Sequence, residues 1–378
     1  MATTTGPLAG MKTAETHMPT PRRAVLLLAH GSPDTIAEIP EYLRNVLSGR
    51  ALPQPLIEEV QRRYALIGKS PLTEWTLQQA ALLQQTLSLP VYVGMRNWRP
   101  YIADTVRQMR ADGVTEAVAI CLAPQNSRTS VGLYRRATFA EVGDTLRIYF
   151  HEDWAEHPRL IDAFADRLRP VWSAACKELG AKVPVLFTAH SVPVRTVQAP
   201  QPQPVGPEAA TTPQTPPGRP ASATSTPVRP TLPERSYAAP ASAPQGPDTY
   251  PDECKRTAAL VAERLSSDGL EESDCLFAFQ SQAMSGGPWI GPTVEETLQK
   301  IKDEGHAGVV LQTIGFLCDH VEILYDIDIA FKGLAEKIGL KLWRPESLNA
   351  SPLLIAALAD LAQEGLRKLD APTGAVHP

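Results

Sequence analysis

The sequence predicts an α/β fold made of two similar, doubly wound domains, and three observations carry that prediction. Two apolar runs, Val25 to Ala29 and Val185 to Ala189, each end in a histidine, His30 and His190, with Ser and Pro close behind. Segments 100–113 and 292–305 align without a gap, from a proline to a glycine. Each is followed by another apolar run, Ala117 to Leu122 and Gly308 to Leu311 onward. Runs this short, bounded by proline and turn residues, read as strands buried on both faces. The carboxyl end of such a strand is where open α/β sheets bind ligands, which makes the two histidines candidates for a site.

The aligned segments are helices by their periodicity. Ile102, Val106 and Met109 match Val294, Leu298 and Ile301, the i, i+4, i+7 stripe of a helix with one buried face. Proline is expected in the first turn of each and glycine at its end. A strand, a histidine and a helix recurring in the same order point to two copies of one unit.

Taken in order, residues 1–21 are rich in Thr, Pro and Gly and read as a disordered tail with no secretory signal. The first domain is expected over 22–180. After its first strand, 34–47 and 56–67 read as helices, 68–72 breaks the pattern, Thr76 to Leu87 is a helix and Val91 to Met95 a strand. Beyond the repeat helix and the strand 117–122, the polar, ring-bearing stretch 123–134 is placed as a lip over a cleft. The strand Leu146 to Phe150 and a helix from Pro158 to about Leu179 complete this half. The second domain is expected over 181–345, interrupted at 198–247. There, 14 prolines fall between 200 and 247, and so little apolar surface is available that a disordered insertion is expected, removable without loss of folding. A helix Glu253 to Leu265, a strand Leu276 to Gln280, a glycine-rich turn, the second repeat helix and a strand Val309 to Phe316 follow. Residues 346–378 are a C-terminal helix, Pro352 to Leu369, and a tail.

Composition narrows the function. A chain of 378 residues, 43% hydrophobic, can fill two cores of ordinary size. A net charge of -5 without a basic stripe argues against nucleic acid as a partner. No apolar run is long enough to span a bilayer, although the composition is compatible with peripheral membrane contact. Five cysteines without C-x-x-C spacing fit a reduced, cytoplasmic chain, which is expected to act as a monomer. The absence of G-x-G-x-x-G disfavours a nucleotide.

The chemistry concentrates late in the chain. Glu322 and Asp326 are four apart on a predicted helix and so share a face, with His320 at the helix start. Facing His190 across a cleft, such a row of oxygens and imidazoles suits a divalent first-row metal. The competing reading is that Asp319-x-x-Glu322 is a capping box that only ties down the helix. Tyr64, Tyr134 and Trp289 could stack on a flat ligand or simply pack.

Taken together, Ala29-His-Gly-Ser-Pro33, Arg63-Tyr64 with Gly68-Lys-Ser-Pro-Leu72, Thr188-Ala-His-Ser-Val-Pro193, Asp248-Thr-Tyr-Pro251, Trp289-Ile-Gly-Pro292 and Asp319-His-Val-Glu-Ile-Leu-Tyr-Asp326 resemble the ferrochelatases. These enzymes insert ferrous iron into a porphyrin late in haem synthesis. The resemblance implies two Rossmann-like domains with a porphyrin cleft between them, ferrous iron as a substrate and no organic cofactor. It implies that His190 and Glu322 are the catalytic and metal-site pair, with Asp326 and His320 behind them. It places His30, Arg63, Tyr64, Ser70, Tyr134 and Trp289 against the porphyrin.

The chain also departs from the family pattern. His30 stands where coproporphyrin-type members often carry Tyr, so it is either an axial ligand of the product iron or a cleft residue. The acidic row ends at Asp326, since Ala330 follows one turn on. Cysteines beyond Cys318 that hold an iron-sulfur cluster in some members have no counterpart, and no cluster is expected. The first half, Tyr64 through Tyr134, looks more like the coproporphyrin III enzymes than the protoporphyrin IX ones. Arg63, Arg96, Arg99, Asn126, Ser127 and Arg128 could meet the extra carboxylates. The rivals are a cobalt or nickel chelatase, which Ala29-His-Gly-Ser32 also resembles, and a non-enzymatic haem or iron carrier.

Overall fold

The computed structural model describes residues 21–50, 52–197, 247–282 and 288–371. The expected N-terminal and C-terminal tails, the insertion 198–247 up to residue 246, and most of the glycine-rich turn lie outside the described residues.

The first half runs β1 (Arg23–Ala29), α1 (Ile39–Val46), α2 (Gln54–Ile67), α3 (Leu72–Leu87), β2 (Val91–Met95), α4 (Ile102–Ala111), β3 (Glu116–Cys121), α5 (Val131–Phe139), β4 (Arg147–His151) and α6 (Pro158–Leu179). The second runs β5 (Val185–His190), α7 (Val194–Val197), α8 (Tyr250–Glu263), β6 (Cys275–Gln280), α9 (Val294–Asp303), β7 (Gly308–Thr313), α10 (Val321–Leu324), a π-helical stretch Asp326–Phe331, α11 (Lys332–Lys337), β8 (Lys341–Trp343) and α12 (Pro352–Asp370). The sheets are parallel and ordered β2-β1-β3-β4 and β6-β5-β7-β8. The two topologies are identical, so β1 and β5 each stand where the winding reverses, the crevice position of an α/β sheet.

Both faces of each sheet are covered, which explains the unbroken apolar runs. Val25, Leu27 and Ala29 point to one side of β1 and Ala24, Leu26 and Leu28 to the other. The outer faces take α4 and α5 on the first sheet, and α9, α11 and the π stretch on the second. The inner faces share one core: Val118 and Ile120 of β3 and Phe187 and Val310 of the second sheet meet through α6, α8 and α12. The repeat helices α4 and α9 occupy the same place between their strands, and their matched stripes are buried. Gly113 and Gly305 end them at φ of +76° and +90°, conformations that glycine adopts without steric cost.

Several expectations are corrected. Pro100 and Pro292 precede the N-caps Tyr101 and Thr293 and so lie outside the first helical turns. The break before α3 ends at Pro71, so that helix begins at Leu72, four residues earlier than its periodicity indicates. β8 was not expected: three residues are too few for a pattern, and the strand is defined only by its pairing with β7. The C-terminal helix α12 packs on β3, β4, α3 and α6, against the first sheet. Gly365 permits this approach, because a Cβ there would lie 2.6 Å from Val118 Cγ1 and 2.9 Å from Tyr149 Cδ1.

Candidate active site

The carboxyl ends of β1 and β5 and the loop after β7 bound a cavity of about 390 Å³. His30 follows β1 and His190 closes β5, so the repeat sets the two imidazoles at equivalent corners. Another wall comes from α1 and α2, whose Ile39, Tyr42, Leu43, Val60 and Tyr64 pack on Trp98. Of the residues singled out in the sequence, His30, Tyr64, Ser70, Arg96, Ser127, Tyr134, His190, Trp289, His320 and Glu322 line this cavity, and Arg63, Arg99, Asn126, Arg128 and Asp326 do not.

His190 and Glu322 face each other. His190 Nδ1 lies 2.5 Å from the Ser191 carbonyl oxygen, which can only accept, so Nδ1 carries the proton and Nε2 keeps its lone pair. That Nε2 is 3.6 Å from Glu322 Oε2, an oxygen shielded from solvent and without a hydrogen bond. Two electron-pair donors turned toward one another are stabilised by a cation held between them, whether a proton or a metal ion. Around them, Tyr250 Oη donates to the His190 carbonyl oxygen at 3.1 Å, and Gln280 Nε2 donates to the Glu322 carbonyl oxygen at 3.3 Å. Neither Tyr250 nor Gln280 was given a role from sequence, although Tyr250 sits in the Asp248-Thr-Tyr-Pro251 motif.

The capping reading of Glu322 does not hold. The residue at the N-cap of α10 is His320, with no side-chain cap, and the Asp319 carboxylate accepts from Arg344, Ser347 and Asn349 instead. The expected row of carboxylates on one helix face is also altered. The chain makes one α turn to Leu324 and then a π turn from Asp326, so the four-residue spacing no longer stacks the two side chains. Asp326 points behind Glu322, accepting from Ser281 Oγ at 2.7 Å and pairing with Arg63 at 3.3 Å. Burial pushes its carboxyl up to about 6, Glu322 adds to the rise, and Ser281 and Arg63 only partly offset it. Arg63 also pairs with Glu59 at 2.9 Å and lies 4.8 Å over the Tyr325 ring, so it joins α2 to the π stretch.

The remaining imidazoles are held neutral. His320 Nδ1 meets the Cys318 carbonyl oxygen at 3.0 Å, and burial lowers its pKa. Burial depresses His30 strongly, and Arg96 and the two other imidazoles reinforce the effect. His30 Nε2 lies 3.1 Å from both Tyr42 Oη and Asn97 Nδ2, so that nitrogen is engaged by the protein's own donors. Elsewhere on the wall, Tyr64 Oη and Ser70 Oγ are within reach of each other, yet neither makes a well-formed hydrogen bond. The Arg96 guanidinium lies 5.2 Å over the Tyr134 ring, and the His190 and Trp289 rings meet edge to face at 6.5 Å. Among the described residues, no three His, Cys, Asp or Glu side chains gather to hold a metal ion.

Residues 22–366 match the family model described as Ferrochelatase. The chain belongs to the ferrochelatase family. A ferrochelatase of Acidobacterium capsulatum is 59% identical over 350 residues, covering 93% of this chain and 96% of that one. A coproporphyrin III ferrochelatase of a Geobacillus species is 29% identical over 358 residues, covering 92% and 98%. Among solved structures, SirB from Bacillus subtilis with Fe3+ superposes with a TM-score of 0.48 at 10% identity, covering 92% of this chain and 97% of that one. The protein is therefore an enzyme of haem biosynthesis that inserts iron into a porphyrin. No helix among the described residues is long and apolar enough to cross a membrane.

Proposed function

We propose that His190 and Glu322 perform the insertion and that coproporphyrin III is the porphyrin. The observation that carries the first part is the meeting of His190 Nε2 and the unpartnered Glu322 Oε2 at 3.6 Å inside the cavity. Metallation replaces the two N–H protons of the ring with one iron ion. Ferrous iron bound beside Glu322 passes to the four ring nitrogens as His190 Nε2 takes the first proton, and the Glu322 carboxylate, released by the iron, takes the second. A neutral imidazole with a free ring nitrogen is a suited proton acceptor. Only two protein groups reach the ion in this scheme, so it is transferred to the ring and not retained. A haem carrier would gain nothing from an unpaired carboxylate oxygen at the metal, which favours the enzyme over that rival.

The choice of coproporphyrin III rests on the polar wall of the cavity. Arg96 and Ser127 line it, and Ser32 Oγ, Ser70 Oγ and Tyr64 Oη are buried there without a well-formed hydrogen bond. Four propionates would satisfy more of these donors than two. The name of the Geobacillus relative is consistent with this reading. Anaerobic incubation with ferrous iron and each porphyrin in turn, followed by loss of porphyrin fluorescence, tests it. Faster turnover of coproporphyrin III is expected, and equal or faster turnover of protoporphyrin IX would remove this part of the proposal.

On the same reading the enzyme carries no organic cofactor and no iron-sulfur cluster. Cys275 opens β6 at one end of its sheet, whereas Cys318 lies past the opposite end of β7. It works as a cytoplasmic monomer, and all five thiols are free of disulfides, as suits a reducing compartment.

A further inference from the structure

The loop that carries His320 and Glu322 is gripped from behind by Asn349, on the segment between β8 and α12. Asn349 is 2% exposed, and its φ of +50° lies in the left-handed region. Asparagine tolerates that conformation better than other residues with a Cβ, but a buried one held there marks a position that its surroundings over-determine.

All of its polar groups are in use. Its N–H donates to the Leu317 carbonyl oxygen at 2.8 Å, and its carbonyl oxygen accepts from Gln79 Nε2 at 2.6 Å. Its Oδ1 accepts the Asp319 N–H at 2.9 Å, and its Nδ2 donates to Asp319 Oδ2 at 3.0 Å and to Glu346 Oε1 at 3.2 Å. Ser347 Oγ and Arg344 hold the other Asp319 oxygen. Asn349 thus ties the main chain on either side of Cys318 to the segment that leads into α12. Gln79 belongs to α3 and lines the cavity, so the same residue links the first half's wall to the metal loop of the second.

Neither of the two nearest substitutes meets both demands. Glycine accepts the backbone angle but supplies none of the three side-chain bonds. Aspartate has the shape, but it would set a carboxylate against those of Asp319 and Glu346, where asparagine presents N–H. We propose that Asn349 is a positioning residue for iron. It fixes the 319–322 loop and hence the place of Glu322 relative to His190, so that it governs the affinity for the ferrous ion and leaves that for the porphyrin unchanged. This rests on the reading that Glu322 receives the iron.

The test measures KM separately for ferrous iron and for porphyrin, together with Tm, in Asn349→Asp and Asn349→Gly. Supporting groups behind a metal ligand are worth about ten- to hundredfold in metal affinity or activity, and a rise of that size in the iron KM is expected for N349D. Porphyrin KM should stay within about twofold. N349G should show a smaller rise in the same sense, and adding D319N to N349D should recover part of the loss by restoring an amide opposite a carboxylate. If N349D fails to fold, N349G decides alone, because glycine keeps the backbone angle. An unchanged iron KM with only Tm or the active fraction reduced, or an equal rise in both KM values, overturns the proposal. A Glu322→Gln variant with wild-type iron KM would instead overturn the underlying assignment of Glu322, a result that N349D and N349G cannot produce.

Discussion

At Asp326 burial outweighs the attraction of a neighbouring guanidinium, and this has a measurable consequence. With the carboxyl at about 6 in the fold and 3.8 in the free chain, the native state binds the proton more tightly. Asp326 therefore costs stability above pH 6, and the cost disappears as the pH falls through 6 towards 3.8. The interval corresponds to about 3 kcal/mol at most, with the attraction of Arg63 already included in it. Asp326→Asn should be more stable than wild type at pH 7 to 8, with the difference vanishing near pH 4 in denaturant melts; a variant less stable at pH 8 would mean that the ion pair dominates. At this scale the sequence was legible in pairing His190 with Glu322, which the fold brings to 3.6 Å in one cavity. It was silent on what holds them. Tyr42 and Asn97 on His30, or Asn349 on Asp319, are contacts between residues well apart in the chain, and no local spacing announces them.

Among the elements, the strands and the two repeat helices follow from periodicity alone, because burial on both faces or one writes itself into the residue pattern. The π stretch does not: a helix with i+5 bonds and one with i+4 bonds accept the same residues over one turn, and packing of Ile327 and Phe331 on the second sheet decides between them. The placement of α12 was equally hidden, since its partners α3, β3, β4 and α6 all lie in the first half of the chain. The close approach it makes gives a direct test. Gly365→Ala puts a methyl against Val118 and Tyr149 and should lower stability by about 1–3 kcal/mol, seen as a lower Tm, with both KM values unchanged in the folded fraction. A variant as stable as wild type would show that α12 can shift away from β3 at no cost.

For the molecule as a whole, the repeat was readable from the two strand-histidine runs and the two aligned helices, but the shared core was not. Two separate cores were expected, whereas α6, α8 and α12 join the inner faces of both sheets into one. A single cooperative calorimetric transition is therefore predicted for this chain, and two well-separated transitions would show that the halves melt independently. That shared core is also what holds the carboxyl ends of β1 and β5 over one cavity, so that an imidazole and a carboxylate can meet there. The most direct test of that meeting is the anaerobic rate of iron insertion by His190→Ala, Glu322→Gln and His30→Ala, each checked for wild-type folding. The first two should lose about 10²- to 10⁴-fold in kcat, the range of a lost proton-transfer group, while His30→Ala, whose ring is already engaged by Tyr42 and Asn97, stays within about tenfold of wild type. The opposite order, with His30→Ala inactive and His190→Ala near normal, would contradict the assignment and place the metal at the first histidine.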